Sequence, residues 1–480
     1  MKPLLVFVSS FAYYILLSAK QFTWIFASGD SGDWLAASNM WFVPQPYGSP
    51  LYISLGHFLD LFGGDLVIKM TVILSCLPAA ITVTLVYLIV KKLATEKAAW
   101  FSIAILLGAG IFLTQSTVLE EYAIATMFLV ASYYFYLIDK KWLVAVSLGL
   151  GTAVHVVVPV VAVLWLLVMR KEWRAWVKVI PVFAVIGFTP YLLIVYLMTT
   201  DAPQLLAGGL SWQSINSYLG STGVFGSLSI IDLPKRTLDF VAVVLMSFGL
   251  AVIPFFAIFK RRPWNNNTKL VIAAIFFPVF YYATCLDPTS WTFMTFACPF
   301  VAIIAGIEVA RITNRKLVMA IASVTILIIF TNTIMLNADR LTKANPMAVE
   351  YYNEVQQIPD GSAIVMVRGG FNSMAVFYAI SEGKDIIPIF LTNYDWKEDA
   401  LYTNYADWIN KEYNLVGNNT QELAYSALQQ GIDTYVISNI YEKWKLAFEV
   451  EKTELEHFDK AKGVNTTVEV HTEANKYDTW

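Results

Sequence analysis

The chain has 480 residues, of which 57% are hydrophobic and 14% charged, and its formal net charge is −3. Soluble globular domains carry about 25% charged residues, so this composition excludes a soluble protein and indicates a polytopic membrane protein. The sequence has no zinc-ligand spacing, no phosphate-binding glycine loop and no basic-aromatic stripe, which excludes nucleic acid as a partner.

Apolar segments of the length that crosses a bilayer, roughly 20 residues, recur along the first part of the chain. We predict about 11 transmembrane helices, at residues 3–26, 65–90, 98–116, 122–138, 142–154, 156–169, 176–198, 238–259, 270–286, 291–310 and 317–336. Segments 142–154 and 156–169 are too short to cross straight, so we expect a helical hairpin that turns near His155. The first segment lacks a signal-peptide cleavage site, and we expect it to be retained.

Basic residues occupy alternate loops between the predicted spans, and acidic residues occupy the others. Basic loops face the cytoplasm in membrane proteins, so the N-terminus is expected in the cytoplasm. The first acidic loop, residues 27–64, is then external. The tail, residues 337–480, is also expected outside the cytoplasm. The three cysteines lie in or beside apolar segments, so we expect no disulfide framework.

The tail differs sharply from the membrane part, because it carries 12 basic and 22 acidic residues. Its apolar runs at 363–367, 386–390 and 434–437 predict buried strands, and helical patterns at 346–357, 371–382 and 421–430 alternate with them. We therefore predict two domains, a transmembrane module at 1–336 and a small extracytoplasmic α/β domain at 337–480. The sequence leaves open whether this domain recognises an acceptor or covers the site.

Two carboxylates three residues apart, Asp30 and Asp33, follow the first predicted span in a loop rich in Gly, Pro and aromatic residues. A carboxylate in this position can act as a general base that takes a proton from an attacking hydroxyl. The alternative is that Asp33 caps a helix that starts near Trp34. Acids near spans tend to lie at interfaces or in wet cavities, which suits either interpretation.

Glu120 and Glu121 form a second acidic group on the same predicted side, directly before Tyr122 opens the next span. The alternative interpretation is an exposed turn, whose acids favour the start of the following helix. His155 lies at the turn of the predicted hairpin, open to the outer side and close to Glu120 in topology. It can donate a hydrogen bond to a phosphate or sugar oxygen, or it can simply bond within the helix bundle.

Lys235 and Arg236 are the basic pair of the acidic loops in the membrane part. They can anchor the chain at lipid headgroups, where such side chains extend towards water. Alternatively, they can clamp a lipid-linked phosphate, which an Arg holds with two hydrogen bonds.

The spacing of these groups resembles the protein O-mannosyltransferase-like membrane proteins of the GT-C superfamily, which include the transmembrane O-mannosyltransferase of plexin-type receptors. The resemblance covers roughly residues 1–160, and the matched positions are Asp30, Gly32, Asp33, Pro46, Gly48, Pro50, Leu51, Tyr52, Glu120, Tyr122 and His155. The family usually has Glu, His and Tyr where this chain has Asp33, Gln45 and Ser49.

The resemblance implies a GT-C fold with its site in the first external loop and a polyprenyl- or dolichyl-phosphate sugar as donor. It also implies that Asp30 is the base of an inverting transfer. Asp33 and Glu120 would orient sugar or acceptor hydroxyls, and His155 would contact donor or acceptor. We place Tyr52 and Tyr122 in the same predicted substrate-binding set.

We therefore expect an integral-membrane glycosyltransferase that moves one hexose, such as mannose, to a protein acceptor outside the cytoplasm. The alternatives are a lipid or lipid-linked glycan acceptor, a transporter or lipid flippase, and a receptor-like protein. We predict no cofactor, although Asp30, Asp33 and Glu120 offer oxygen ligands that suit a divalent cation. The sequence shows no sign of eukaryotic targeting, which favours an archaeal or bacterial plasma membrane.

Overall fold

A computed structural model shows a helical module followed by a mixed sheet. It describes residues 1–18, 29–40, 49–193, several between 238 and 256, 264–284, 292–342, 346–367, 371–391, 409–417, 419–438 and 447–465.

Helices make up the described part of the chain before the tail. Their bounds are Lys2–Leu17, Gly29–Met40, Pro50–Asp60, Leu66–Met70, Leu77–Leu93, Glu96–Leu107, Gly110–Gln115, Tyr122–Leu137, Lys141–Thr152, Val157–Val168, Trp173–Val177, Ile180–Phe188, Val252–Phe256, Asn266–Thr284, Met294–Arg311 and Arg315–Thr342. A π-helix, Thr71–Cys76, joins Leu66–Met70 to Leu77–Leu93 without a break, and a 3₁₀ turn spans Arg170–Glu172.

Several of these helices are apolar enough to cross a bilayer. Among the described residues, Leu66–Leu93, Met294–Arg311 and Arg315–Asn337 have both the length and the composition, and the bent pair Arg170–Val177 and Ile180–Leu193 is a fourth candidate. The shorter apolar helices are Lys2–Leu17, Tyr122–Leu137, Lys141–Thr152 and Val157–Val168. The chain is thus an integral membrane protein, and the predicted total of 11 spans stays a prediction.

The helix Met294–Arg311 lies at the centre of the helical module. Its apolar stretch is 83% buried, whereas that of Arg315–Asn337 is only 11% buried, which places the latter helix at the periphery. Met294–Arg311 packs closely against Glu96–Leu107, because Gly306 has no side chain to separate the two backbones at Ser102. Small residues allow such close approach between helices in membranes.

The predicted hairpin is confirmed. Two short helices, Lys141–Thr152 and Val157–Val168, contact each other across a break at residues 153–156. We call residues 153–157 the hairpin tip. It is tied to its surroundings by backbone groups, since the Leu51 N–H donates to the Ala153 carbonyl at 3.0 Å and the Tyr191 hydroxyl donates to the Thr152 carbonyl at 3.1 Å.

The described part of the tail forms a five-stranded sheet in the order β2-β1-β3-β5-β4. The strands are β1 Ser362–Val367, β2 Ile386–Leu391, β3 Thr434–Ile437, β4 Phe448–Glu451 and β5 Phe458–Val464. β1 pairs in parallel with β2 and β3, whereas β5 pairs antiparallel with β3 and β4. The helices of the tail are Pro346–Gln357, Phe371–Ser381 and Thr420–Gln429. Strands β1 to β3 and these helices coincide with the predicted segments, and the predicted boundary after residue 336 falls inside the helix Arg315–Thr342.

The tail and the first loop are in direct contact. We call Gly29–Met40 the first loop helix, Pro50–Asp60 the second loop helix and Phe371–Ser381 the tail helix. The tail helix packs along the first loop helix on one side and along Pro346–Gln357 on the other. The pKa of Tyr378 on the tail helix is raised, first by burial and then by the nearby Asp65 carboxylate. A residue of the membrane part thus lies close to a residue of the tail.

Candidate active site

The two loop aspartates lie within the first loop helix. This helix begins at Gly29, so Asp30 is in its first turn and Asp33 follows one turn later. The alternative that Asp33 caps a helix starting near Trp34 is therefore wrong, because the helix begins five residues earlier than that interpretation requires. The side chains of both aspartates lie outside the described part of the structure.

The first loop helix is bonded to the second acidic segment. Ser31, next to Asp30, is buried and donates its hydroxyl to the Leu119 carbonyl at 2.9 Å. The same hydroxyl lies 3.5 Å from Glu120 Oε1. The chain segments that carry Asp30 and Glu120 are distant in sequence, and Ser31 brings them together.

Glu120 and Glu121 are both buried, each with 1% of its surface exposed. The alternative of an exposed turn is therefore wrong. Glu121 is the N-cap residue of Tyr122–Leu137, but its side chain makes no capping hydrogen bond. The π-helix supplies a further contact, because the Ser75 hydroxyl donates to the Glu120 carbonyl at 3.3 Å. π-helical segments are rare, and they occur frequently at functional sites.

Two aromatic side chains, one from each loop helix, pack against each other near the two glutamates. Trp34 and Tyr52 are fully buried, and their rings meet edge to face with centroids 5.4 Å apart. Burial raises the pKa of the Tyr52 phenol well above its usual value, and the Glu120 and Glu121 carboxylates raise it further. Tyr52 therefore stays a neutral hydroxyl near both acids.

The two loop helices approach each other closely at Gly56. A Cβ added there would lie 2.1 Å from Ser38 Oγ and 2.8 Å from Met70 Cε. Two hydrogen bonds fix the same contact, since His57 Nδ1–H donates to the Ser38 carbonyl at 2.9 Å and the Asn39 amide donates to Asp60 Oδ2 at 3.0 Å. The position of the first loop helix thus depends on the absence of a side chain at residue 56.

Gly56→Ala is expected to push the first loop helix away from the second and to destabilise the protein by about 1–3 kcal/mol, the usual cost of overpacking. Adding Ser38→Gly should recover part of this loss, because both Ser38 atoms that the new Cβ meets are then gone, while the contact with Met70 Cε and the cost of a glycine inside a helix remain. The thermal unfolding midpoint of the single and double variants tests this. Equal midpoints for wild type and Gly56→Ala would contradict the close contact.

His155 lies beside Glu121, the residue next to the Glu120 that was expected near it in topology. Its Nε2 is 3.8 Å from Glu121 Oε1, and its Nδ1 accepts the Val157 N–H at 3.1 Å. His155 is fully buried, so the prediction that it is open to the outer side is wrong in this structure. Its position at the tip of a tightly packed hairpin explains this, because the rings of Tyr122 and Phe296 cover it at centroid distances of 5.2 and 4.9 Å.

Tyr122 links this cluster to the central helix. Its hydroxyl accepts a hydrogen bond from Thr292 Oγ1 at 3.0 Å, and its ring packs against Phe293 and Phe296. The structure thus gathers the first loop helix, Tyr52, Glu120, Tyr122 and His155 into one buried region. Substrate binding by these residues, and by Asp33, stays a prediction. Lys235 and Arg236 lie outside the described residues.

Sequence reasoning missed two polar contributors to this region, Ser31 and Ser75. A serine inside an apolar or helical segment gave no sign that its hydroxyl would bond to the Leu119–Glu120 segment. Glu121 stood in the acidic pair, but it was not among the predicted site residues. Its position in the sequence could have revealed it, because a short turn that buries Glu120 also buries the adjacent Glu121.

Metal binding rests on residues that the structure describes only in part. Among the described side chains, no group of three or more His, Cys, Asp or Glu residues is placed to hold a metal ion. The Asp30 and Asp33 side chains are not in that set, so the absence of a metal requirement stays a prediction. Cys76 and Cys298 are buried and are not part of a disulfide, and Cys285 lies outside the described residues.

The N-terminal part of the chain is similar to a known protein family. Residues 30–200 match the family described as the Protein O-mannosyl-transferase TMEM260 N-terminal domain. The match begins at Asp30 and includes the first loop helix, the acidic pair and the hairpin. It confirms the resemblance to the GT-C superfamily that the motif spacing indicated. No curated protein sequence matches the chain significantly.

Solved structures share the fold over almost the whole chain. ArnT from Cupriavidus metallidurans bound to undecaprenyl phosphate superimposes with a TM-score of 0.61 at 11% identity, covering 95% of this chain and 97% of ArnT. The oligosaccharyltransferase of Archaeoglobus fulgidus, tethered to an acceptor peptide, gives a TM-score of 0.53 at 12% identity, covering 92% of this chain and 69% of that protein. At these identities the similarity shows the fold alone, which is the GT-C fold.

Proposed function

We propose that the chain is a membrane glycosyltransferase that moves one hexose, mannose being the first candidate, from a polyprenyl- or dolichyl-phosphate donor to a protein hydroxyl outside the cytoplasm. The observation that carries this proposal is the bond from Ser31 to the Leu119–Glu120 segment, which joins the helix of Asp30 to a second buried acid. The family match and the GT-C fold support the same reaction class.

The proposed reaction is a single inverting displacement. Asp30 takes the proton of the acceptor hydroxyl while the oxygen of that hydroxyl attacks the anomeric carbon of the sugar. The bond from that carbon to the phosphate oxygen breaks, and the lipid phosphate leaves with the electron pair. Asp33, Glu120, Tyr52 and Tyr122 would hold hydroxyl groups of the sugar or the acceptor, since their oxygens accept or donate hydrogen bonds.

The donor phosphate needs a cationic partner, which the described part of the cluster does not supply. Lys235 and Arg236 are the basic pair of the predicted external loops and are proposed to bind this phosphate. ArnT was solved with undecaprenyl phosphate, a lipid phosphate of the class that we propose for this chain. The proposal places the N-terminus in the cytoplasm and the tail outside, in the plasma membrane of an archaeon or bacterium.

A transfer assay in liposomes tests the proposal. Purified protein is mixed with radiolabelled polyprenyl-phosphate sugars and host membrane extract, with and without a chelator. We expect label to move from one donor to protein, and we expect the rate to be unchanged by the chelator. Label that moves only to lipid would replace the protein acceptor by a lipid or lipid-linked glycan. No transfer from any donor by a folded protein would contradict the enzyme and favour a transporter or flippase.

A further inference from the structure

The two adjacent glutamates of the candidate site have different neighbours. Glu120 Oε1 lies 3.5 Å from Ser31 Oγ on the first loop helix, and Glu121 Oε1 lies 3.8 Å from His155 Nε2 on the hairpin tip. We propose that Glu121 and His155 form a positioning pair, which holds the turn at residues 116–121 so that Glu120 faces the helix of Asp30. This inference rests on the proposed function of that site.

The hydrogen bonds around the imidazole determine where its proton is. His155 Nδ1 accepts the Val157 backbone N–H at 3.1 Å, so Nδ1 carries no proton. In the neutral ring the proton is then on Nε2, the nitrogen that faces Glu121. Both ring nitrogens are therefore directed at protein groups, which favours a positioning role over direct contact with a substrate.

Charge explains why Glu121 needs this neighbour. Two carboxylates on consecutive residues repel each other, and each is buried, where such repulsion is weakly screened. The distance of 3.8 Å from His155 Nε2 to Glu121 Oε1 is longer than a hydrogen bond. In a buried site the N–H dipole of the imidazole still attracts the carboxylate. It draws Glu121 towards the hairpin and leaves Glu120 to the contact with Ser31.

Backbone hydrogen bonds hold the hairpin tip between the turn that carries Glu120 and the second loop helix. The His155 N–H donates to the Gly151 carbonyl at 2.8 Å, and the Ala153 carbonyl accepts the Leu51 N–H at the start of the second loop helix. The same tip therefore contacts the turn that carries Glu120 and the helix that carries Tyr52. A shift of His155 would change both sides of the site at once.

Glu121 stands at the position that the Glu-x-Tyr spacing of the resembling family leaves open. Glu120 and Tyr122 are the matched residues, and Glu121 lies between them. The contact of Glu121 with His155 is thus a feature of this chain beyond the motif, and it assigns a role to a residue that the motif does not specify.

Kinetics of the full-length protein with the donor found in the transfer assay test the pair. Glu121→Gln, His155→Asn and the double variant are each expected to lower kcat about tenfold, the non-additive result of two groups that act as one unit. The KM for the donor should stay within about twofold of wild type, because the pair is proposed to act through Glu120 and not on the donor. Glu308→Gln is the matched control, because Glu308 is a buried glutamate paired with Arg311 at the end of the central helix and away from the site.

Hydrogen exchange of the peptide covering residues 116–122 gives a second measurement that needs no substrate. Faster exchange in Glu121→Gln and His155→Asn, but not in Glu308→Gln, is expected. Glu121→Gln keeps the size of the side chain, so it gives a result even if His155→Asn does not fold.

Three outcomes would overturn the positioning pair. The first is a raised donor KM in His155→Asn alone, which would make His155 a direct substrate contact. The second is a double variant whose loss equals the product of the single losses. The third is unchanged exchange of the turn in both variants. If wild type transfers no sugar, the proposed function fails, and the exchange measurement still decides on the pair.

Discussion

Asp30→Asn is expected to abolish detectable sugar transfer while the protein still folds and inserts into the membrane. A general base contributes roughly 10²–10⁴-fold to a reaction rate, and an amide cannot accept the acceptor proton. Asp30 lies in the first turn of the first loop helix, and the exchange of one oxygen for an NH₂ group should leave that helix in place. The measurement is kcat in the liposome assay, together with the thermal unfolding midpoint.

Asp60→Asn is the matched control for this variant. Asp60 belongs to the same predicted external loop and accepts a hydrogen bond from the Asn39 amide, which the carbonyl oxygen of the new side chain can still accept. We expect this variant to keep most of its activity. Full activity of Asp30→Asn would remove Asp30 from the mechanism, and equal losses in both variants would indicate a general effect on the loop.

Glu120→Gln is expected to lower kcat about 10- to 100-fold. The proposed hydrogen bond from a sugar or acceptor hydroxyl to Glu120 would no longer be to a charged group, and such a bond contributes about 1.5–3 kcal/mol. The buried carboxylate faces the first loop helix at Ser31, and the amide keeps its shape but not its charge. The stability of the protein should change little, because the amide oxygen can still accept the Ser31 hydroxyl. The assay is the same, with kcat and both KM values measured.

Glu308→Gln separates a loss of charge at the site from a loss of any buried charge. Glu308 has 5% of its surface exposed and pairs with Arg311. We expect this variant to lose little stability and to keep a kcat within about twofold of wild type, since the Arg311 side chain left behind is 48% exposed and lies away from the site. Equal kcat losses at positions 120 and 308 would mean that Glu120 acts only through stability.

Local patterns were enough to predict much of the fold. Apolar length gave the helical hairpin and its turn near His155, because a run that is too short to cross a bilayer must fold back. The same reasoning gave β1 to β3, whose residues form continuous apolar runs. β4 and β5 were missed, because charged residues interrupt their apolar ones. β4 reads Phe448-Glu449-Val450-Glu451, and a strand of which only Phe448 is buried has no apolar run to reveal it.

The candidate site was predictable only as a set of segments. The acidic segments around Asp30 and Glu120 were expected to converge, and the bond from Ser31 brings them together. The sequence did not predict which glutamate contacts His155, because Glu120 and Glu121 have the same side chain and are consecutive residues of one turn. A change of one residue there selects a different neighbour, and only the packed structure fixes it.

The contact between the first loop helix and the tail helix joins two segments that the ribosome makes at widely separated times. Ribosomes add about 5–20 residues per second, so the first loop helix waits for tens of seconds before its neighbour is synthesised. The surroundings of the first loop helix are therefore complete only after the tail helix has been made, and a chain that stops before Phe371 never completes them.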